Sequence, residues 1–191
     1  NTQSINYLEC HDNYTVWDKM KESNKEDSRE VRIKRQKMML GALLLSIGVP
    51  FIHSGQEFAR TKNGIHNSYR SPDNINQIDW LRKERFLDMV SYTQDMIKLR
   101  KSLPIFHSTN LDLIEQHVEF RNFDGMLITH YRCPRLKPYH DVWIYLNPTN
   151  QIYSEHFDQE VILLANESGL VKNIRGNKSE IQPYSLTVFA K

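Results

Sequence analysis

The stretch NYLECHDNYTVWD, residues 6 to 18, turns abruptly from apolar to polar and sets Glu9, Cys10, His11, Asp12 and Asn13 side by side. These residue types serve general acid–base work, hydrogen-bonded substrate gripping and metal ligation. A His–Asp pair just past a strand either acts on a substrate or merely orders its loop, and spacing alone leaves both readings open. A metal at Cys10, His11 and Asp12 is not expected, because adjacent residues of an extended chain point to opposite faces. His11 and His53 could converge across neighbouring strands, although a buried, hydrogen-bonded histidine is the commoner arrangement. Nucleophilic Ser or Cys chemistry has no support, since no G-x-S-x-G elbow occurs.

Elements must hold these groups in place. Ser4 to Leu8 reads as a short strand that ends in the polar cluster, followed by a polar loop from Asp18 to Ser28. Asp27 and Glu30 have the spacing of a capping box, which opens a helix from about Arg29 to Ile47. Arg29, Arg32, Lys34, Arg35 and Lys37 give it a basic face expected to be solvated. Its second half, from Met38, is apolar on nearly every side and needs neighbours there. Gly48 closes it, and the apolar run Val49 to His53 suits a strand buried on both faces. Residues 54 to 80 read as one long polar loop carrying Gln56 and Glu57, a length that often marks function. A second helix spans about Leu81 to Ser102, with Phe86, Met89, Val90, Thr93, Met96, Ile97 and Arg100 on one face.

Beyond it the pattern changes to short β-rich runs: 118–121, 126–131, 142–146, 161–165 and 185–190. Asp124-Gly125 is a hairpin signal, and Asn147-Pro148, Ser168-Gly169 and Arg175-Gly176 punctuate the rest. The expected fold class is α/β plus all-β. The last two βα units of a TIM (β/α)8 barrel (residues 1–104) precede a small antiparallel β-sandwich (residues 105–191). Barrel enzymes build their sites at strand C-termini, so both polar clusters are expected at one mouth.

Composition narrows the class. With 39% hydrophobic and 25% charged residues the chain is an ordinary globular sequence. Its 25 basic and 23 acidic residues leave a net charge of +2, too balanced for a nucleic-acid or anionic-membrane binder. No apolar run approaches the ~20 residues of a membrane span. Cys10 and Cys133 form no metal pair, and two free thiols are expected rather than a bridge, which favours a cytoplasmic over a secreted setting. The chain opens on Asn1 without a signal-peptide pattern, and is read as a segment of a longer protein.

Several motifs together carry a family resemblance. YLECHDNYTVWDK, residues 7 to 19, is similar to the strand-seven motif of the alpha-amylase superfamily of glycoside hydrolases, and GVPFIHSGQEF, residues 48 to 58, resembles its strand-eight motif. RTKNGIHNSYRSPDNINQIDW, residues 60 to 80, resembles type I pullulanases, and QPYSLTVF, residues 182 to 189, resembles the last strand of their C-terminal domain. Cys10 departs from the Ser usual in the motif.

The resemblance implies retaining hydrolysis of α-1,6 bonds in pullulan, branched dextrins and glycogen. That chemistry needs two carboxyl groups about 5 Å apart, a nucleophile and an acid/base. In the family these follow strands four and five, upstream of a chain that starts at strand seven, so the chain alone is expected to be inactive. Asp12 would then be the third carboxylate, bonding sugar hydroxyls and stabilising the transition state. His11 would contact the same sugar, with Glu9 and Asn13 positioning the pair. Glu57 would support the site and Asp73 would bind glucose further along. Tyr14, Tyr69 and Trp80 are candidates for stacking on sugar or for structural packing. Expected partners are an α-glucan, the remainder of the barrel and a second copy of the chain; no cofactor is expected. The alternative is a non-catalytic glucan-binding or structural module, gripping sugar through Tyr131, Tyr139, Trp143 or Tyr145.

Overall fold

The computed structural model describes residues 4–108, 116–132 and 137–191; the expectation for Cys133 lies outside them. Strand β1 (Ile5–Asn6) pairs in parallel with β2 (Val49–Pro50), Ile5 opposite Val49. Between them run α1 (Val16–Ser23) and α2 (Arg29–Leu44). After β2 come a 3-10 turn (Gln56–Phe58), then α3 (Asp73–Asn76), α4 (Trp80–Glu84) and α5 (Leu87–Ser102). The two expected βα units are thus present as a two-stranded parallel pair with its helices, and a closed barrel is not among the described residues.

Several local expectations change. Helix α1 occupies part of the expected polar loop: Thr15 caps it, accepting from the Asp18 amide at 3.2 Å, and Trp17 and Met20 are buried beneath a polar sequence. Helix α2 is capped by Ser28, not Asp27, whose carboxylate instead takes the Arg35 Nε–H at 2.7 Å. Its basic face is not simply solvated. Arg29 lies over Phe86, Arg32 over Trp17, Arg35 over Tyr184 and Lys37 over Tyr92, covering aromatic rings that would otherwise meet water.

The second half is one six-stranded antiparallel sheet: β3 (Val118–Phe123), β4 (Met126–Arg132), β5 (Asp141–Asn147), β6 (Tyr153–Asn166), β7 (Gly169–Ile181) and β8 (Ser185–Ala190), in the order β3-β4-β5-β8-β6-β7. A sandwich-like second layer arises because this sheet curls. The early part of β6 pairs only with β7, and the register shifts between His156 and Val161 before β6 meets β8. Phe157 folds back within 5.0 Å of the Phe189 ring, and Phe123 of edge strand β3 meets Tyr153 of β6 at 5.5 Å. The long polar arms of β6 and β7 carry few β-branched residues, which is why the sequence shows only 161–165 as strand and places Arg175-Gly176 in a turn. Asp124 and Gly125, with φ of 47° and 79°, form the expected hairpin turn.

One core joins the two halves. Met38, Leu44 and Leu45 of the α2 region and Tyr92, Met96 and Leu99 of α5 pack on Val142, Ile144, Leu186, Val188 and Ala190 of the sheet. The neighbours that the apolar end of α2 needs are therefore supplied within this chain; Val49 and Phe51, expected in a strand buried on both faces, are left exposed. Close approach of the layers needs Gly41, since a Cβ there would stand 2.5 Å from the Tyr92 hydroxyl. Gly169 is required twice over: its φ is +120°, and a Cβ would meet the Asp95 carboxylate at 2.6 Å. None of the described helices is long and apolar enough to cross a membrane.

Arg100, placed on the apolar face of α5 by its spacing, ties the first half together. Its guanidinium donates to the carbonyls of Leu44 and Ser46 at 2.6 Å, Gly48 at 2.7 Å and Phe106 at 3.2 Å. It fixes the end of α2 and the entry to β2 at once. Arg100→Met leaves these carbonyls without their donor and is expected to cost about 3 kcal/mol of stability, read by urea denaturation.

Candidate active site

The turn after β1 is built around a buried carboxylate. Glu9 is 3% exposed; its Oε1 accepts from His53 Nδ1 at 3.0 Å and its Oε2 from the amide of Val16, at the start of α1. His53 Nε2 faces Arg60 Nη1 at 3.2 Å. A guanidinium has no acceptor, so Nε2 must accept and the ring proton sits on Nδ1, pointed at Glu9. Arg60 goes on to donate to the carbonyls of Ser54 and Asn76.

A second tie crosses from the same turn to the long loop. Lys62, 3% exposed, donates from Nζ to the His11 carbonyl at 2.7 Å and to Ser68 Oγ at 2.8 Å. Burial pushes its pKa down, and neighbouring Arg60 adds to that, while Glu9 and Asp12 oppose it. Asp18 of α1 receives the Thr61 hydroxyl on one oxygen and the Lys62 amide at 2.7 Å on the other. Asn76 closes the loop on itself, donating to Ser68 and Ser71 carbonyls. Hydrogen bonds therefore run from the turn after β1, through the loop after β2, to α3.

On this frame His11 and Asp12 are presented outward, with side chains 83% and 69% exposed and His11 Nε2 3.4 Å from Asp12 Oδ2. Asn13 takes a left-handed φ of 61°, which turns the chain sharply into α1. The turn also overturns the premise used against a shared ion. The chain is not extended here, and the ligand atoms of Cys10, His11 and Asp12 lie within 4.8 Å of one another. Glu57 Oε2 accepts from the Gly55 amide at 3.1 Å, inside its own turn. Asp73 begins α3 and is exposed. Tyr69 is 71% exposed with Arg70 over its ring. Trp80 is largely exposed with its ring tilted against Phe58, and Tyr14 packs on His66.

The candidate sugar platforms of the β domain all contact protein, Tyr139 being half-buried against the core. Tyr131 and Tyr145 are buried, and Trp143 is stacked by His130 at 4.6 Å and flanked by Phe157. Sequence reasoning missed Arg60, Lys62 and Asp18, ordinary charged residues in polar stretches. Their one available signal was density of charge in segments that must approach a buried strand end.

No protein-family model matches the chain. Over 129 residues it is 46% identical to pullulanase of Bacillus subtilis (strain 168), a match covering 68% of this chain and 18% of that relative. Among solved structures it is similar to pullulanase from Bacillus acidopullulyticus, with TM-score 0.93, 28% identity and coverage of 100% of this chain and 24% of that one. It is also similar to pullulanase from Anoxybacillus sp. LM18-11 complexed with maltotetraose, with TM-score 0.91, 34% identity and coverage of 99% and 28%. The chain is a relative of the pullulanases. It spans less than a fifth of the curated relative and about a quarter of these solved ones. In this pullulanase relative Lys62 is the tie between the His11 carbonyl and the loop bearing Tyr69 and Asp73. Lys62→Met removes a charge-assisted bond, and amide hydrogen exchange at His11, Asp12 and Asn13 is expected to quicken about tenfold.

Proposed function

We propose that this chain supplies strands seven and eight of a (β/α)8 barrel (residues 1–104) and the following β domain (residues 105–191) of a debranching enzyme. The enzyme cleaves α-1,6-glucosidic bonds of pullulan, branched dextrins or glycogen with retention. The observation that carries this reading is the turn at the C-terminal end of β1. An exposed His11–Asp12 pair is held there by buried bonds to the loop after the parallel neighbour, in a chain 34% identical to a pullulanase solved with maltotetraose. Strand C-termini are where such barrels assemble their sites.

In this reading Asp12 accepts hydrogen bonds from hydroxyls of the sugar at the cleavage point. Those bonds strengthen as the ring flattens towards an oxocarbenium ion, so they lower the barrier rather than merely hold substrate. His11 orients the same sugar, with Asn13 setting the turn. Glu57 braces the second turn, while Asp73 and Tyr69 engage glucose units further along. The nucleophile and the acid/base belong to strands four and five, supplied by the rest of the barrel. Exposed Ile5, Tyr7, Val49 and Phe51 give that remainder an apolar edge to cover, or a second copy of the chain when it is absent.

In a full-length enzyme carrying this sequence, Asp12→Asn is expected to lower kcat by about 10²–10³ with a small change in KM. The isolated 191-residue chain is expected to hydrolyse no pullulan, and to support hydrolysis once mixed with the upstream part. Hydrolysis by the purified chain, matched to its mass, would overturn the division of the site.

A further inference from the structure

We propose that Cys10, His11 and Asp12 form a site for a thiophilic divalent cation, of which zinc is the type. The three donors are a thiol, an imidazole and a carboxylate, all mutually within 4.8 Å. Two ligands of a tetrahedral zinc, at bond lengths of about 2.0–2.1 Å, stand about 3.3 Å apart. His11 Nε2 and Asp12 Oδ2 already stand at 3.4 Å. The thiol folds back over the same turn, with Cys10 Sγ 3.9 Å from the Asp12 carbonyl oxygen. Closing the third ligand onto the ion needs the half-buried Cys10 side chain to shift by about 1 Å towards the exposed His11 and Asp12. The backbone beneath them needs no movement: Lys62 pins the His11 carbonyl and Asn13 fixes the turn.

The donor set decides the ion. Calcium and magnesium take oxygen ligands and gain nothing from a thiol and an imidazole, whereas zinc, cobalt and cadmium accept all three. Three protein donors leave the fourth position to water, and the nearby Lys62 ammonium opposes a cation, so binding is reversible rather than structural. Cys10 is a free thiol, and it is the donor that distinguishes this turn from a plain His–Asp pair. If His11 and Asp12 grip glucan as proposed above, the ion and the sugar exclude one another, and zinc is an inhibitor; that consequence rests on the proposed function, whereas the binding does not.

Titration of the 191-residue chain with zinc and with cobalt tests the site. The expected result is one ion per chain, a sulfur-to-cobalt charge-transfer band, and no competition from excess calcium. Cys10→Ser and His11→Ala are each expected to weaken binding at least tenfold. Cys10→Ser is also expected to abolish the band, which Cys133→Ser retains. Absence of binding, or binding that survives unchanged in Cys10→Ser, overturns the proposal. Unaltered activity of Asp12→Asn in the full-length enzyme would instead refute the glucan reading and leave the cation site standing.

Discussion

Two strands of two residues each cannot, by their own hydrogen bonds, hold the loops that follow them. That constraint shapes the first half of the molecule. The loop ends of β1 and β2 are joined instead by buried charged side chains: Glu9 to His53 and the Val16 amide, Asp18 to residues 61 and 62, Lys62 to His11 and Ser68. Each such group carries a desolvation cost of several kcal/mol unless its bonding capacity is filled. Glu9 and Lys62 each spread their bonds over two sequence segments, so neither loop can shift without leaving a buried charge unpaired. The exposed side chains of His11 and Asp12 inherit their placement from this arrangement and contribute nothing to it, which leaves them free for a ligand.

The sheet gives the first half its support. Its helix-facing residues, Leu186, Val188 and Ala190, share one core with α2 and α5, and Arg100 clamps the chain between them. The opposite face closes on itself, because the β6–β7 hairpin bends at its register shift and lays Phe157 on Trp143 and Phe189. Trp143 and Tyr145 contact other protein rings there and still border an open groove with Tyr153 and Glu155. What the sheet offers the first half is a rigid backing: α5 reaches across to the β6–β7 turn, where Asp95 accepts the Leu170 amide.

How much was legible in the sequence follows the same physics. Periodicity and punctuation find α2, α5, the Asp124-Gly125 turn and β8, because those elements bury one face or demand a special backbone. The single helix expected over Leu81 to Ser102 is, however, broken before Leu87 into α4 and α5. Helix α1 and strand β7 escape, since VWDKMKES and GLVKNIRGNKSEI carry their polar residues where an exposed loop would. At the site, the residues proposed to meet a ligand stand out as a motif. Those that hold the motif do not: nothing in the sequence distinguishes buried Lys62 from exposed Lys25, since both sit in polar stretches beside asparagine, and only burial separates them. The error about Cys10 has a local cause as well, because the alternation rule for extended chain fails just before a left-handed turn at Asn13.

The last asymmetry concerns what is complete. Buried apolar residues from both halves form continuous cores within this chain. One group of its exposed apolar residues, Ile5, Tyr7, Val49 and Phe51, stands around β1 and β2, whose outer edges have no hydrogen-bonded neighbour among the described residues; others, such as Phe120, Leu127 and Ile174, lie on the sheet. An uncovered edge beside an outward-facing His–Asp pair puts the open surface and the candidate chemistry in one location. Whatever covers that edge also walls the turn. In the barrel reading proposed above, strands docking on β1 and β2 would cover these apolar side chains and, in the same step, wall the turn that carries His11 and Asp12.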